Sequence, residues 1–263
     1  MRMTYKLRPS GSSRWLECPA SLILEDAVGE VKRDDMFPAY IGTAAHEILE
    51  RCLNEQTRAC AYLGTTVEVF DEEQQNFPYT ALIDEKIVNA VNFFLDEVGE
   101  PDSVTAGKVY AELEMEHSEI EGLRGTADFF RYDEETGHGV LADLKNGVST
   151  VQVKNRKGEL NTQLLCYAAL LFDRFEGLKT LTIAIIQPNA KTKLKTRTAG
   201  VDKEIVEGHL DRVREAAKLA NEATEDMIES ISKVGSHCWW CRAKGICTVR
   251  GKDEINKDFG GEE

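Results

Sequence analysis

Apolar residues recur along this chain with two different periods. Over residues 80–98, Leu82, Ile83, Ile87, Val88, Val91, Phe94, Leu95 and Val98 return every three or four positions, which marks an amphipathic helix. Gly99 and Pro101 supply its stop. Residues 42–53 repeat the pattern through Ala44, Ala45, Ile48, Leu49 and Cys52. A short helix is expected over 22–28, inside an otherwise irregular stretch 1–40. Further along the period falls to two, and 109–116, 124–132, 140–145 and 180–187 are predicted strands. Gly137-His138-Gly139 is placed as the hairpin turn between the second and third of these. Helices are predicted over 159–175 and 202–232, and the acidic tail after Lys252 is expected to fray. Hairpin strands followed by strand, helix, strand imply an α/β fold, with a central mixed β-sheet flanked by helices.

The chain has 263 residues, 42% hydrophobic and 30% charged. That suits a single domain over 1–263 with its core at about 40–190, and it argues against wholesale disorder. No apolar run approaches the roughly 20 residues that span a bilayer. Met1 to Arg14 lacks the apolar centre of a secretory signal, so a soluble cytoplasmic protein is expected. The net charge of −14 argues against a protein that coats nucleic acid. It is unevenly spread: from Lys145 to Arg197 ten Lys or Arg face only Glu159, Asp173 and Glu176, a net +7 against −21 elsewhere. Such a stretch can form one electropositive groove, although on charge alone solvated loops and helix faces are the simpler reading.

The chemistry gathers on two consecutive strands. Gly125-Thr126-Ala127-Asp128 leads into Phe129 and Phe130, and Asp143-Leu144-Lys145 ends the next strand. Side chains two apart on a strand share a face, so Asp143 and Lys145 point together while Leu144 enters the core. Pairing of the two strands brings Asp128 towards Asp143. Converging carboxylates repel unless a cation joins them, and Mg²⁺ or Mn²⁺ suits such oxygen ligands. A lysine beside them can orient a metal-bound water or stabilise charge on a phosphate, which is the apparatus of phosphodiester hydrolysis. A surface Asp–Lys pair is the bland alternative. Gln163 and Tyr167 lie four apart and so share one helix face.

The order G-x-x-D, D-x-K, Q-x-x-x-Y is similar to the RecB-like branch of the PD-(D/E)XK nuclease superfamily. Gly42-Thr43-Ala44-Ala45-His46 resembles that branch's upstream helix, which carries a metal-side histidine. The resemblance spans about 42–167. It implies a restriction-endonuclease-like core in which Asp128, Asp143, Lys145, Gln163 and Tyr167 are catalytic. His46, Asp128, Asp143 and the Leu144 carbonyl would be the metal ligands. Glu112 and Glu114 precede Asp128 with one side-chain parity; either could add a carboxylate, with Glu112 the better match, and a solvated strand face is the equal alternative.

Seven cysteines in a chain without a secretory signal argue against a disulfide framework. Cys238-Trp239-Trp240-Cys241 and Cys247 put three soft ligands close together, and Zn²⁺ or Fe–S centres usually want a fourth. Cys18 is the best candidate, Cys52 and Cys60 are alternatives on spacing, and Cys166 is expected to pack inside its helix. An early cysteine with a terminal C-x2-C-x5-C resembles the iron–sulfur staple of RecB-family nucleases of the AddB and CRISPR-adaptation types. That implies a 4Fe–4S cluster on Cys18, Cys238, Cys241 and Cys247, joining segments 14–20 and 236–248; structural Zn²⁺ is the alternative. Trp239 and Trp240 are expected to shield and pack rather than stack on bases. The segment from Leu7 to Trp15 resembles the opening of phage-encoded members. The expected activity is a metal-dependent deoxyribonuclease acting on DNA ends or single strands, with a recombination or annealing protein as partner. A non-catalytic nucleic-acid- or partner-binding protein is the alternative.

Overall fold

A computed structural model describes residues 5–28, 37–69, 79–99 and 107–251. Residues from Lys252 onwards, where the tail was expected to fray, lie outside the described residues. The helices are α1 (Ser12–Trp15), α2 (Ala20–Val28), α3 (Phe37–Glu55), α4 (Glu85–Val98), α5 (Thr162–Arg174), α6 (Lys203–Glu222) and α7 (Ile228–Ile231). The strands are β1 (Thr66–Val69), β2 (Tyr79–Leu82), β3 (Lys108–Glu116), β4 (Arg124–Asp133), β5 (His138–Leu144), β6 (Thr180–Ile186) and β7 (Thr196–Asp202). No helix among the described residues is long and apolar enough to cross a membrane.

A five-stranded mixed sheet runs in the order β3-β4-β5-β6-β7, parallel only between β5 and β6. The parallel pair is the one joined through α5, because a parallel connection needs a crossover and a hairpin cannot supply it. Each face of the sheet has its own core. Phe130, Leu141, Ile183 and Ile185 pack with Leu164, Leu170, Leu171, Leu210 and Val213 of α5 and α6. Phe129, Ala142, Leu144, Ala184 and Ile186 pack with Ile48, Leu49, Val91 and Phe94 of α3 and α4. The alternation of faces along β5 is what the period of two predicts. The fold is thus a mixed α/β sandwich with helices on both sides of the sheet.

Several element boundaries differ from expectation. The apolar run over 80–98 does not start as helix: Tyr79–Leu82 pairs with β1, and the Asp84 side chain caps α4 by accepting from the Ile87 N–H at 2.9 Å. The hairpin turn lies at residues 134–137, so His138 and Gly139 already belong to β5. Gly137 closes it with φ 72°, a conformation glycine takes without steric cost. The last helix is not continuous over 202–232; it stops at Glu222 and resumes as short turns. β1 and β7 were not expected. The C-terminal region folds back on the N-terminal one. Buried Glu25 pairs with Arg14 at 2.7 Å and accepts the Arg242 N–H at 2.8 Å, and Lys233 pairs with Glu17 at 3.0 Å.

Phe94 is fully buried on α4 and meets Phe129 edge to face, with ring centroids 6.1 Å apart. Phe94→Ala should therefore cost about 3–5 kcal/mol, from lost transfer energy and the cavity left behind. Urea unfolding checks this; a loss below about 1 kcal/mol would contradict a close-packed second core.

Candidate functional site

Three carboxylates lie side by side on three adjacent strands. Ala111 pairs with Phe129 and Leu113 with Ala127, so Glu112 stands opposite Asp128. Phe129 pairs with Ala142, which puts Asp128 level with Asp143 across the β4–β5 hairpin. Adjacent strands are about 4.8 Å apart, so the three positions are neighbours, and among the described residues the ligand atoms that gather within 4.8 Å of one another are those of His46, Glu112 and Asp128, without Asp143.

Glu112 owes its place to backbone strain. Its φ is 42°, in the left-handed region that non-glycine residues seldom enter. Ala111 and its partner Phe129 face the α3–α4 core, whereas Leu113 and its partner Ala127 face the α5–α6 core. Two residues apart should mean one face, so the ribbon of β3 and β4 changes sides at Glu112 and Asp128. This corrects the shared parity of Glu112 and Glu114: Glu112 joins the site, while Glu114 is exposed.

Positive groups close the row at both ends. His46, from α3, places Nδ1 3.0 Å from Asp128 Oδ1 and 4.0 Å from Glu112 Oε1. Burial alone would lower the His46 pKa, but the Asp128 carboxylate and its hydrogen bond outweigh it and hold the imidazole at about 9. Burial pushes Asp128 up, yet His46, Lys145 and the Leu144 N–H bring it below the usual carboxylate range. That N–H donates to Asp128 Oδ2 at 2.7 Å. At the other end Lys145 Nζ donates to Asp143 Oδ1 at 3.2 Å and to Gln163 Oε1 at 3.1 Å. Gln163 Nε2 donates to the same Asp143 oxygen at 3.0 Å, closing a triangle. Burial raises Asp143 despite Lys145. Burial would lower Lys145, but Asp143 and Asp128 raise it, so the amine is an ammonium at neutral pH.

Gln163 reaches the row because α5 starts just before it. Asn161 caps the helix, its side chain accepting from the Gln163 and Leu164 N–H groups. One turn on, Tyr167 is buried; burial first, then Asp143 and Asp128, push its hydroxyl up. The glycine of G-x-x-D has a packing reason. A Cβ at Gly125 would lie 2.8 Å from the Pro9 ring and 3.0 Å from Tyr167 Cε1. Leu144 is fully buried in the α3–α4 core, as the alternation predicts.

The donor set fits a divalent cation. His46, Glu112 and Asp128 offer ligand atoms all within 4.8 Å of one another. Glu112 Oε1 is buried without a hydrogen-bond donor, and burial, then repulsion by Asp128, lifts the carboxyl to about 7. A buried oxygen left unpaired costs about 1–3 kcal/mol, and a cation between the acids removes that penalty.

The cysteines are less convergent. Cys18 is buried, its Sγ accepting from the Lys233 N–H at 3.4 Å; burial raises its thiol, and nearby Cys247 and Cys238 add to that. Cys241 is instead raised to about 11 by burial and lies beside Glu25. No cysteine belongs to the close ligand group found among the described residues. Cys166 packs inside α5 as expected, 3.3 Å from His209 Nε2. Cys52 is buried in the α3–α4 core. Trp239 and Trp240 are 72% and 75% exposed, which corrects the expectation that they shield and pack. They sit on and just after a short 3-10 turn, Ser236–Trp239, which buries none of its residues.

Over residues 5–260 the sequence matches the family model described as "Protein of unknown function (DUF2800)". The chain belongs to the DUF2800 family. Among solved structures, this DUF2800 chain is similar to one titled "Crystal structure of SSO0001", at 11% identity over 88% of this chain and 95% of that chain. The TM-score is 0.35, which carries no argument about the site.

The His46–Asp128 contact has a pH signature in this DUF2800 protein. A histidine pKa raised from 6.5 to about 9 contributes stability that is complete below about 6.5 and lost as pH rises through about 9. In metal-free protein, the stability gap between the wild type and His46→Asn should shrink across that window. Urea midpoints at a series of pH values measure it; a constant gap would refute the pairing.

Proposed function

We propose that this protein is a Mg²⁺- or Mn²⁺-dependent deoxyribonuclease of the RecB-like PD-(D/E)XK type, acting on DNA ends or single strands in the cytoplasm. The observation that carries the reading is the triangle of Lys145, Asp143 and Gln163 in a row of three adjacent carboxylates, two of them, Asp128 and Asp143, buried. Each of the resemblance's ordered motifs contributes a side chain to this one neighbourhood.

Asp128 and Asp143, with His46 and Glu112, would hold the cation, and the Leu144 carbonyl is proposed as a further ligand. The cation would supply Lewis-acid activation of water and of a phosphate oxygen. Lys145, held protonated between Asp143 and Gln163, serves as a fixed positive charge for a developing phosphorane. It is not set up to take a proton in the state described. Gln163 fixes the Lys145 rotamer and orients Asp143. Tyr167 keeps α5 and Gly125 in register and screens the row from water. A phage-borne recombination role, with an annealing protein delivering the strand, accords with a net charge of −14, which weakens unaided DNA binding.

A 4Fe–4S cluster on Cys18, Cys238, Cys241 and Cys247 is part of the proposal. Cys238 and Cys247 lie within electrostatic reach of Cys18, and ligation by Cys241 requires it to turn from Glu25. Four thiolates on one Zn²⁺ need sulfurs under about 4 Å apart, given Zn–S bonds of about 2.3 Å.

Linear DNA incubated with the protein and Mn²⁺ should be degraded, and Asp143→Ala or Lys145→Ala should lower the rate by at least ~100-fold while circular dichroism is unchanged. Full activity in both variants would sink the assignment. Protein purified without oxygen should be brown and hold about four irons per chain if a cluster is present. One zinc and no iron would select the alternative.

A further inference from the structure

The loop after Lys145 and the loop between β6 and β7 are tied into one predominantly basic surface, with Glu159, held by Asn155, as the acid at its far end. Residues 145–158 and 187–197 together hold eight Lys or Arg and no Asp or Glu, in a chain of net charge −14. Gln187, fully buried, binds the two loops. Its Nε2 donates to the Gly147 and Ser149 carbonyls at 2.8 and 2.7 Å, and its Oε1 accepts from the Val151 N–H and Arg197 Nη2 at 3.0 and 2.8 Å. Every hydrogen-bonding position of the amide is thereby used. Arg197 in turn donates to the Leu194 carbonyl at 2.9 Å, bracing the second loop. Asn189 donates to Asn146 Oδ1 at 2.7 Å, and the Lys191 N–H to the Val148 carbonyl at 3.2 Å. Asn146 directly follows Lys145, so this surface begins at the edge of the carboxylate row.

Like charges held together on a rigid frame repel, and a solvated loop needs no buried glutamine to order it. A frame of this kind pre-positions cations for a polyanion at little entropic cost. Lys154, Arg156, Lys157, Lys191 and Lys193 are exposed. Neither loop contains an aromatic residue, so bases have nothing to stack on. Apolar Val148 and Leu194, 45% and 62% exposed among these cations, suit sugar faces.

The geometry points to a polynucleotide-backbone track formed by residues 145–158 and 187–197, which leads a strand of any sequence away from the Asp128–Asp143–Lys145 centre. It rests on the nuclease reading for its direction, while the binding surface itself stands on charge and rigidity. Lysines act as point charges on phosphates, so recognition is sequence-independent and strongly salt-dependent.

The test pairs Lys191→Glu/Lys193→Glu and Lys154→Glu/Lys157→Glu with a control of equal charge change on α6, Lys203→Glu/Lys218→Glu. The probe is a fluorescein-labelled phosphorothioate oligothymidylate, which keeps the charge and resists cleavage, read by anisotropy in Mg²⁺ across salt concentrations. Each loop variant should bind roughly 10-fold or more weakly than the control, with a salt slope lower by about 1.4 for two lost phosphate contacts. Hydrolysis of bis(4-nitrophenyl) phosphate with Mn²⁺, a diester too short to reach the loops, should be equal in all four proteins. Loop variants that bind as the control does would overturn the track, whatever the ester assay shows, and so would a wild type that binds no oligothymidylate at low salt. Weaker binding confined to the loop variants, in a protein that cleaves no ester, would keep the track and remove the nuclease reading instead.

Discussion

Two buried aspartates side by side, Asp128 and Asp143, are the constraint around which this fold is arranged. Their mutual repulsion in a desolvated setting is unfavourable unless positive groups or hydrogen-bond donors balance it. The chain supplies these from three separate places: His46 from α3, the Leu144 N–H and the Lys145 ammonium from the end of β5, and Gln163 from the first turn of α5. The compensation is uneven. His46 and the Leu144 N–H serve Asp128, which is held ionised, whereas burial raises Asp143 even with Lys145 beside it. Glu112 adds a third acid at the cost of a left-handed backbone and an oxygen with no donor. Such strain clusters at sites that bind a ligand, which accords with the proposed cation. The proposed divalent cation would answer both the unpaired oxygen and the repulsion.

The remainder of the fold keeps α5 at the right height above the row. Asn161 sets where the helix begins, and thus where Gln163 points. From the other side, Leu7 bridges Leu123, Pro9 rests on Gly125 against Tyr167, and Ser12 donates to Thr162 at 2.8 Å. The N-terminal segment therefore wedges the helix carrying Gln163 and Tyr167 against the strand carrying Asp128. The C-terminal region secures that segment through buried Glu25 and its partners Arg14 and Arg242. Glu25 is buried while Arg14 and Arg242 are partly exposed, so the two arginines compensate a carboxylate that would otherwise lie desolvated and unpaired.

The centre was legible in the sequence wherever local geometry alone decided it. Asp143 with Lys145, and Gln163 with Tyr167, follow from the periods of a strand and a helix, and the structure places Nζ and both acceptors within 3.2 Å. Glu112 was only half legible. A positive φ on a non-glycine residue leaves no trace in composition, so the change of faces that separates it from Glu114 was hidden. β7 was missed because it is an edge strand whose only buried residues are Arg197 and Val201, a pattern that reads as loop. The start of α4 was misplaced because Leu82 and Ile83 satisfy both periods, and only pairing with β1 decides between them. The break after Glu222 lacks the glycine or proline that signals a helix end. Residue type alone places Trp239 and Trp240 inside, whereas their exposure follows from the short turn that carries them.

Gln187 shows how charge and chemistry are coupled in this molecule. The β5–β6 ladder ends with the Lys145 N–H donating to the Ile186 carbonyl at 3.0 Å, and Gln187 follows immediately. The same strand ends that fix Lys145 therefore also fix the origin of both basic loops. A local field from such loops acts within about 10 Å at ordinary salt, whereas the acidic remainder is distributed over the whole surface. Within that distance of the loops a polyanion would meet attraction, whereas close to the acidic remainder it would meet repulsion. On the proposed reading, selectivity for a strand already near the centre would follow from screening and would need no contact with any base.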